Sequence, residues 1–162
     1  MAETGTSKEI PFEQLAANAN CVVISLNYRL GVLGFNSLPA LKTGDELENS
    51  GNYTLLDFAK ALDWIAENGE NLGADPKNIT ISGFSAGGRD VMAMLISPIF
   101  EGKFQKAISF SGGMTVADVE DSQKVTARAI APLVVEDGVK ATEEEAINWL
   151  LSEEESEKEE VR

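Results

Sequence analysis

The stretch NITISGFSAGG, residues Asn78–Gly88, decides the fold of this chain. Its first part, Asn78–Ser82, is short and rich in β-branched residues, which predicts a strand. A glycine-punctuated turn follows, and Ala86–Ile96 then places apolar residues at helical spacing until Pro98 ends the pattern. A strand that turns directly into a helix is the repeating unit of parallel sheets, so this stretch predicts an α/β fold.

The flanking sequence continues the alternation of strands and helices. Cys21–Leu26 is an almost continuous apolar run that predicts a buried strand, with Cys21 as a buried strand residue. Tyr53–Asn68 has an apolar face at three- and four-residue steps and predicts a helix, and Lys106–Phe110 predicts another strand. The crossovers are long enough for right-handed βαβ units, so we expect at least three parallel strands covered by helices.

Further helices are predicted outside this region. Thr142 and Glu145 form a capping box, as do Ser152 and Glu155, and such boxes are typical of helix starts. Asn36–Gly51 is rich in turn residues and predicts a loop. The additional predicted helices are Pro11–Asn20, Val116–Ile130, Thr142–Leu151 and one that opens at Ser152.

Composition excludes several kinds of function. The chain has 162 residues and a formal net charge of −14, whereas a nucleic-acid-binding surface needs clustered basic residues. It has no histidine and one cysteine, which removes the commonest metal ligand and any intrachain disulfide or zinc cluster. Neither a P-loop nor a dinucleotide-binding glycine motif occurs. We therefore expect no metal, no cofactor and no nucleic-acid partner.

Membrane and secretion signals are also absent from the sequence. No run of 18 apolar residues occurs, and the first twenty residues contain three glutamates and no apolar stretch. We therefore expect no membrane partner and a cytoplasmic location, with a secretion signal on a longer parent left open.

The motif that carries chemistry is Gly83-Phe84-Ser85-Ala86-Gly87, which matches G-x-S-x-G. In this motif a serine lies on a tight strand-to-helix turn that pushes its hydroxyl out of the sheet. Ser85 is the candidate nucleophile, and the backbone N–H of Ala86 is a candidate oxyanion donor at the helix N-terminus. A glycine- and serine-rich turn without chemistry is the alternative interpretation.

Longer blocks around this motif resemble the type B carboxylesterases, the family that includes cholinesterases and bacterial para-nitrobenzyl esterases. The resemblance covers about residues 12–115 and keeps the family's order and spacing. Its blocks are Asn27–Phe35 (NYRLGVLGF), Gly51–Asp57 (GNYTLLD), Asp75–Asn78, the G-x-S-x-G motif with Gly88, and Ile108–Gly112.

The resemblance implies a partial α/β-hydrolase fold and hydrolysis of small carboxylic esters through an acyl-enzyme on Ser85. It implies that Ala86 supplies an oxyanion N–H. It also implies that Ser111 supports the triad acid through a hydrogen bond, although a serine that merely ends a strand is equally compatible with the sequence. Arg29 and Asp57 are interpreted as buried structural charges that each need a partner.

The chain departs from the family's pattern in several places. Phe84 stands where glutamate is usual, Thr54 where glycine is usual and Phe58 where glutamine is common, which we interpret as repacking of a polar layer. No His-Gly-Gly-Gly segment occurs, and the 77 residues after Ser85 contain no histidine. The family's base and acid follow the serine in the chain, and the acidic side chains of 136–162 are interpreted as solvated helix surface.

We therefore predict a central fragment of an esterase that is inactive alone. Its predicted segments are a disordered or cloning-derived N-terminus at 1–11, a partial α/β-hydrolase core at 12–135 and a truncated acidic helical segment at 136–162. Uncovered sheet edges predict self-association or pairing with the remainder of the esterase.

Two other hypotheses stay open. A non-catalytic esterase-like binding or adhesion module fits the absence of histidine, although binding alone needs no strained serine. A Ser–Lys hydrolase using Lys77 or Lys106 is disfavoured, because position 88, where S-x-x-K needs lysine, is glycine.

Overall fold

The computed structural model describes residues 12–114 and 116–153, which form two compact units. The first unit contains the described residues up to Arg29 and those from Thr54 to 114, and the second contains Leu30–Tyr53 and the described residues from Val116 onward. The predicted segment 1–11 and the capping box at Ser152 and Glu155 fall wholly or partly outside the described residues.

The first unit has two helices followed by a strand, a helix and a strand, and the second unit is helical. The helices are α1 (Phe12–Ala19), α2 (Glu46–Asn49), α3 (Tyr53–Asn68), α4 (Ala86–Ile96), α5 (Val119–Glu136) and α6 (Glu143–Leu150), and the strands are β1 (Thr80–Phe84) and β2 (Lys106–Phe110). Short 3₁₀ turns lie at Gly31–Leu33, Pro39–Leu41, Gly69–Leu72 and Pro98–Phe100. No helix in the described part of the chain is long and apolar enough to cross a membrane.

The sheet consists of β1 and β2, which pair in parallel with Thr80 opposite Lys106 and Phe84 opposite Phe110. Helix α4 is the crossover between them, as parallel pairing requires. Side chains of α3 and α4 bury one face of the sheet around Ile81. The apolar core of this unit comprises Leu55, Phe58, Leu62, Ile81, Val91, Met94 and Phe100.

The predicted strand at Cys21–Leu26 is wrong. Within the described residues the sheet has the order β1-β2, and this segment belongs to neither strand. A strand exists through its ladder of hydrogen bonds, and an apolar sequence without a paired neighbour does not form one. Cys21 is exposed, Ile24 is 36% exposed, and only Leu26 and Tyr28 near the segment's end pack against the core.

Several other elements confirm their predicted bounds. Helix α3, helix α4 and strand β2 begin and end where the sequence pattern places them. Strand β1 starts two residues later than predicted, because the N–H of Ile79 binds the side chain of Gln105 instead of a ladder partner. Helix α5, predicted over Val116–Ile130, runs instead from Val119 to Glu136. Asp118 caps its start, with its carboxylate 3.0 Å from the backbone nitrogen of Asp121.

The second unit packs α5 against α6 and the turn at Pro39–Leu41. The predicted capping box at Thr142 forms, with the hydroxyl 3.2 Å from the N–H of Glu145. The Glu145 carboxylate binds the N–H of Ala141 at 3.1 Å, one residue before the cap. The predicted loop contains the short helix α2, whose N-terminus is capped by Asp45.

Candidate active site

Ser85 is the residue between the end of β1 and the start of α4. Its backbone has φ 55° and ψ −110°, a conformation that costs a non-glycine residue about 1–3 kcal/mol. The N–H of Ser85 donates to the carbonyl of Phe110 at 2.9 Å, and its carbonyl accepts from the N–H of Arg89 at 3.1 Å. These two bonds hold the strained residue to the end of β2 and to the first turn of α4.

Glycines let the strand and helix approach closely at this turn. A Cβ atom on Gly83 would lie 2.1 Å from the carbonyl oxygen of Gly87, and one on Gly88 would lie 2.8 Å from the carbonyl oxygen of Phe110. Any larger residue at either position must therefore push α4 away from the sheet. The first glycine of the G-x-S-x-G pattern and the glycine that follows the pattern thus have a steric cause, whereas a Cβ on Gly87 would meet nothing within 4 Å.

The N-terminus of α4 provides hydrogen-bond donors beside Ser85. Ala86 is the first residue of the helix, and the first N–H groups of a helix have no intrahelical acceptor. The Ser85 side chain makes no capping hydrogen bond to α4. Ser85 and Ala86 are exposed, so a carbonyl oxygen has access to the donor. This arrangement can bind an oxyanion, aided by the helix dipole.

Ser111 directly follows β2 and has a positive φ of 52°. The hydrogen bond from the Ser85 N–H to the Phe110 carbonyl joins the carboxyl ends of β1 and β2. Ser85 and Ser111 therefore lie at the same end of the sheet. Ser111 is exposed. Gly31, which follows the predicted strand Cys21–Leu26, begins a 3₁₀ turn in the second unit and lies at no strand end.

Ser109 is a residue that sequence analysis missed. Its hydroxyl donates to the carbonyl of Gly88 at 2.9 Å and so ties β2 to the first turn of α4. The available signal was its position in β2, since alternate strand residues face the same side of a sheet. A Cβ on Gly112 would lie 2.4 Å from both the Ser109 hydroxyl oxygen and the Gly88 carbonyl carbon, so this contact also requires glycine after β2.

Arg29 and Asp57 are partners of each other, as their predicted need for a partner implies. The Asp57 carboxylate accepts from Nε of Arg29 at 3.0 and 3.2 Å, from its terminal nitrogen at 2.7 Å and from its backbone N–H at 3.0 Å. These hydrogen bonds lower the pKa of Asp57 below its usual range. The prediction that both charges are buried is wrong, because the side chain of Arg29 is 47% exposed and that of Asp57 is 27% exposed.

Thr54 and Phe58 of α3 contact the segment that carries Arg29. The Thr54 hydroxyl is fully buried and donates to the carbonyl of Arg29 at 2.6 Å. The Phe58 ring packs against Tyr28 with centroids 4.5 Å apart. These two departures from the family pattern therefore hold the segment before residue 30 against α3.

The alternative lysine bases lie away from Ser85. Lys106 is the first residue of β2 and binds the side chain of Asn78, at the opposite end of the sheet from Ser85. Lys77 precedes β1 at that same end. No cluster of three or more potential metal ligands occurs among residues 12–114 and 116–153.

Ser85 lines neither of two cavities found in the described part of the chain. An open groove of about 600 Å³ is lined by residues of α3 and of the segment 27–29, including Trp64 and Lys60. An apolar pocket of about 360 Å³ lies in the second unit beside Trp149. In the described part of the chain, Ser85 thus lies on an exposed turn.

Comparison with known proteins gives one consistent family. The sequence profile of the carboxylesterase family matches residues 1–160. The chain is 46% identical over 120 residues to a liver carboxylesterase of Sus scrofa, with 74% of this chain and 20% of that protein covered. It is 39% identical over 125 residues to the para-nitrobenzyl esterase of Bacillus subtilis (strain 168), covering 77% of this chain and 25% of that protein. It is also 48% identical over 108 residues to Neuroligin-2 of Mus musculus, covering 67% of this chain and 12% of that protein.

Solved structures of similar proteins agree. A PNB esterase matches 98% of this chain and 32% of its own with a TM-score of 0.71 and 31% identity. A thermophilic PNB esterase matches 91% of this chain and 31% of its own with a TM-score of 0.72 and 33% identity. The chain thus spans about a third or less of the length of these relatives.

Proposed function

This chain belongs to the carboxylesterase family and carries part of the α/β-hydrolase fold, and from that premise we propose that Ser85 is the nucleophile of carboxylic ester hydrolysis. The observation that carries the proposal is the strained backbone of Ser85 at the strand-to-helix turn. Strain of this kind persists only where the surroundings enforce it, and it often has a functional purpose.

The proposed reaction proceeds through an acyl-enzyme. Ser85 Oγ attacks the ester carbonyl carbon while its proton passes to a base, and the Ala86 N–H stabilises the developing oxyanion. The carbon–oxygen bond to the alcohol breaks, and the alcohol oxygen takes up that proton. Water then attacks the acyl carbon, restores Ser85 and releases the carboxylic acid.

The base in this scheme comes from outside these 162 residues. The sequence contains no histidine, and a serine hydroxyl without a base is a weak nucleophile at neutral pH. Residues 1–162 alone are therefore proposed to be inactive. Ser111 lies at the same end of the sheet as Ser85, and we propose that it positions the triad acid through a hydrogen bond.

The sheet supports a proposal about partners. Each of the two paired strands has one neighbour within the described residues, which leaves its other edge open. Open edges pair readily with further strands. We propose that a second copy of the chain, or a separate chain with the base and acid, pairs with one of the two open edges of the sheet.

A non-catalytic binding module is the second candidate function. The absence of histidine and the likeness to Neuroligin-2, whose name is not that of an esterase, favour it. It differs from the first candidate in one testable respect, because it requires no chemistry at Ser85.

A grafted enzyme distinguishes the two candidates. Residues 12–135 replace the matching segment of the Bacillus subtilis para-nitrobenzyl esterase, which supplies the remaining segments. Folding of the graft is checked by its thermal transition, and hydrolysis of para-nitrophenyl butyrate is then measured. We expect turnover by the graft and its loss in Ser85→Ala, whereas Ser82→Ala, an exposed serine of β1, keeps it.

Two outcomes would contradict these proposals, the first by overturning the esterase function and the second by overturning only the inactivity of residues 1–162 alone. A folded graft that is no faster than its Ser85→Ala variant would favour the binding module. Turnover by the ungrafted chain that depends on Ser85 would mean that it has found a base without histidine.

A further inference from the structure

Trp149 of α6 is a buried side chain whose polar group has no partner in the described part of the chain. The residue is 7% exposed, and its buried Nε1–H meets no hydrogen-bond acceptor among residues 12–114 and 116–153. A buried donor without an acceptor destabilises a fold, and such groups are rare in native proteins. This N–H therefore needs an acceptor that the described residues do not supply.

The indole ring of Trp149 also forms part of the wall of the apolar pocket of about 360 Å³ in the second unit. That volume lies at the lower end of the range for small-molecule sites. Apart from Trp149 and Asp137, the lining residues are aliphatic, and they include Leu38, Leu133 and Leu150. The pocket thus combines an apolar wall with one unpaired donor in a residue of that wall.

We propose that this pocket binds a small ketone whose carbonyl oxygen accepts the Nε1–H of Trp149. The apolar body of such a molecule gains free energy from burial against the aliphatic wall. Its carbonyl is an acceptor without a donor, which matches a site whose unpaired group is a donor. Asp137 is the ionisable residue of the lining, and its carboxylate disfavours an anionic acceptor such as a fatty acid.

The surroundings of the indole ring favour an organic ligand over water. A bound water needs about two to four polar partners, and aliphatic side chains offer none. Lys140 Nζ lies 5.2 Å from the ring centre, and a cation over the ring draws electron density from it and so strengthens the N–H as a donor. Because Nε1 is shielded while the ring lines the pocket, binding includes a small turn of the indole into the adjoining space.

The indole N–H resonances of the 162-residue chain report binding directly, with cyclohexanone as the probe. The chain has two tryptophans, and Trp64, 49% exposed in the first unit, provides the reference signal. We expect the Trp149 indole proton to move downfield in a saturable way, while that of Trp64 stays in place. Methylenecyclohexane, in which a CH₂ group replaces the carbonyl oxygen, should bind about fivefold more weakly.

Three variants separate the N–H from the apolar wall, with the backbone amide shift of Val139 as the readout. Trp149→Phe removes the N–H and keeps a ring, so it should weaken cyclohexanone about fivefold and leave methylenecyclohexane unchanged. Leu133→Ala, at a lining residue that is 58% exposed, should weaken both probes alike, by about threefold. Val125→Ala is the matched control on the same helix, since Val125 is 66% exposed and does not line the pocket, and it should change neither affinity.

Three results would overturn the proposal. Equal affinities for the two probes in the unaltered chain would show that the pocket takes apolar groups without using the N–H. A shift of the Trp149 signal that does not saturate, or that the Trp64 signal shares, would show that there is no site. A preference for cyclohexanone that persists in folded Trp149→Phe would assign the acceptor to another donor. None of these results depends on Ser85, because the titration measures binding and the graft measures hydrolysis.

Discussion

Close packing at single residues fixes the geometry of the Ser85 turn. Ser85 holds an unfavourable φ because its N–H is bonded to the end of β2 and its carbonyl to α4. The glycines at 83 and 88 occupy positions where a single additional carbon would overlap backbone atoms. The exposed side chain of Ser85 can therefore be substituted without consequence for folding, whereas Gly83 and Gly88 cannot be.

Gly83→Ala is expected to destabilise the fold by about 2–4 kcal/mol, because its Cβ would lie 2.1 Å from the Gly87 carbonyl oxygen and overpack rigid backbone. Urea denaturation measures the loss. Gly87→Ala is the matched control, since a Cβ there meets nothing within 4 Å and alanine favours the helix. Equal losses in the two variants would contradict the packing described for the turn.

Asp57 gives the fold a pH dependence at the acidic end. Hydrogen bonds from Arg29 lower the pKa of Asp57, so the ion pair stabilises the fold above the usual Asp range. That stability is lost as the pH falls through the lowered pKa. Because Arg29 is half exposed, we expect the contribution to be below about 1 kcal/mol.

Unfolding free energies measured across the acidic range test this contribution. Asp57→Asn and Arg29→Gln should each flatten the same part of the profile. A profile that keeps its acidic slope in both variants would assign the pH dependence to other groups.

Asp90 gives the stability of the fold the opposite dependence on pH. Partial burial raises the pKa of Asp90. Burial first, and then the charge of Asp90, raise the pKa of Tyr28. A carboxyl whose folded pKa is raised binds its proton more tightly in the fold, so stability falls as the pH rises above the usual Asp range. Asp90→Asn is therefore expected to raise the melting temperature at neutral pH and to leave it unchanged in acid. A variant with a lower melting temperature at neutral pH would contradict this assignment.

At the scale of the elements, the sequence predicts helices better than strands. Helices α3 and α4 have their bounds written in local periodicity and end signals, at Asn68 and before Pro98. Cys21–Leu26 has strand composition, yet strand formation depends on a neighbour to pair with, which no local pattern encodes. The turn at Ser85 is predictable because its strand, its glycines and the start of its helix lie within the eleven residues Asn78–Gly88.

Ile24→Lys tests the exposure of the Cys21–Leu26 segment. Ile24 is 36% exposed and lies in no strand, so lysine should change the unfolding free energy by less than about 0.5 kcal/mol. It should also reduce self-association seen by analytical ultracentrifugation, since it places a charge on an uncovered apolar segment. A loss of several kcal/mol would show that Ile24 is buried in a strand after all.

At the scale of the whole molecule, the candidate site is built from one unit, and the sequence supplies no histidine to it. Ser85, Ala86 and Ser111 all belong to the first unit, and none lines either cavity. The sequence could predict the candidate nucleophile because its motif is local. It offers no comparable motif for the proposed base or acid, and the chain spans about a third of the length of its relatives.

The most direct measurement of the central claim is covalent labelling of the folded graft with a fluorophosphonate, followed by peptide mass spectrometry. The account predicts one phosphonyl adduct on the peptide that contains Ser85, none in Ser85→Ala, and none on the 162-residue chain alone. An adduct at another serine of the grafted segment, or a folded graft without any adduct, would contradict the assignment of Ser85 as the nucleophile.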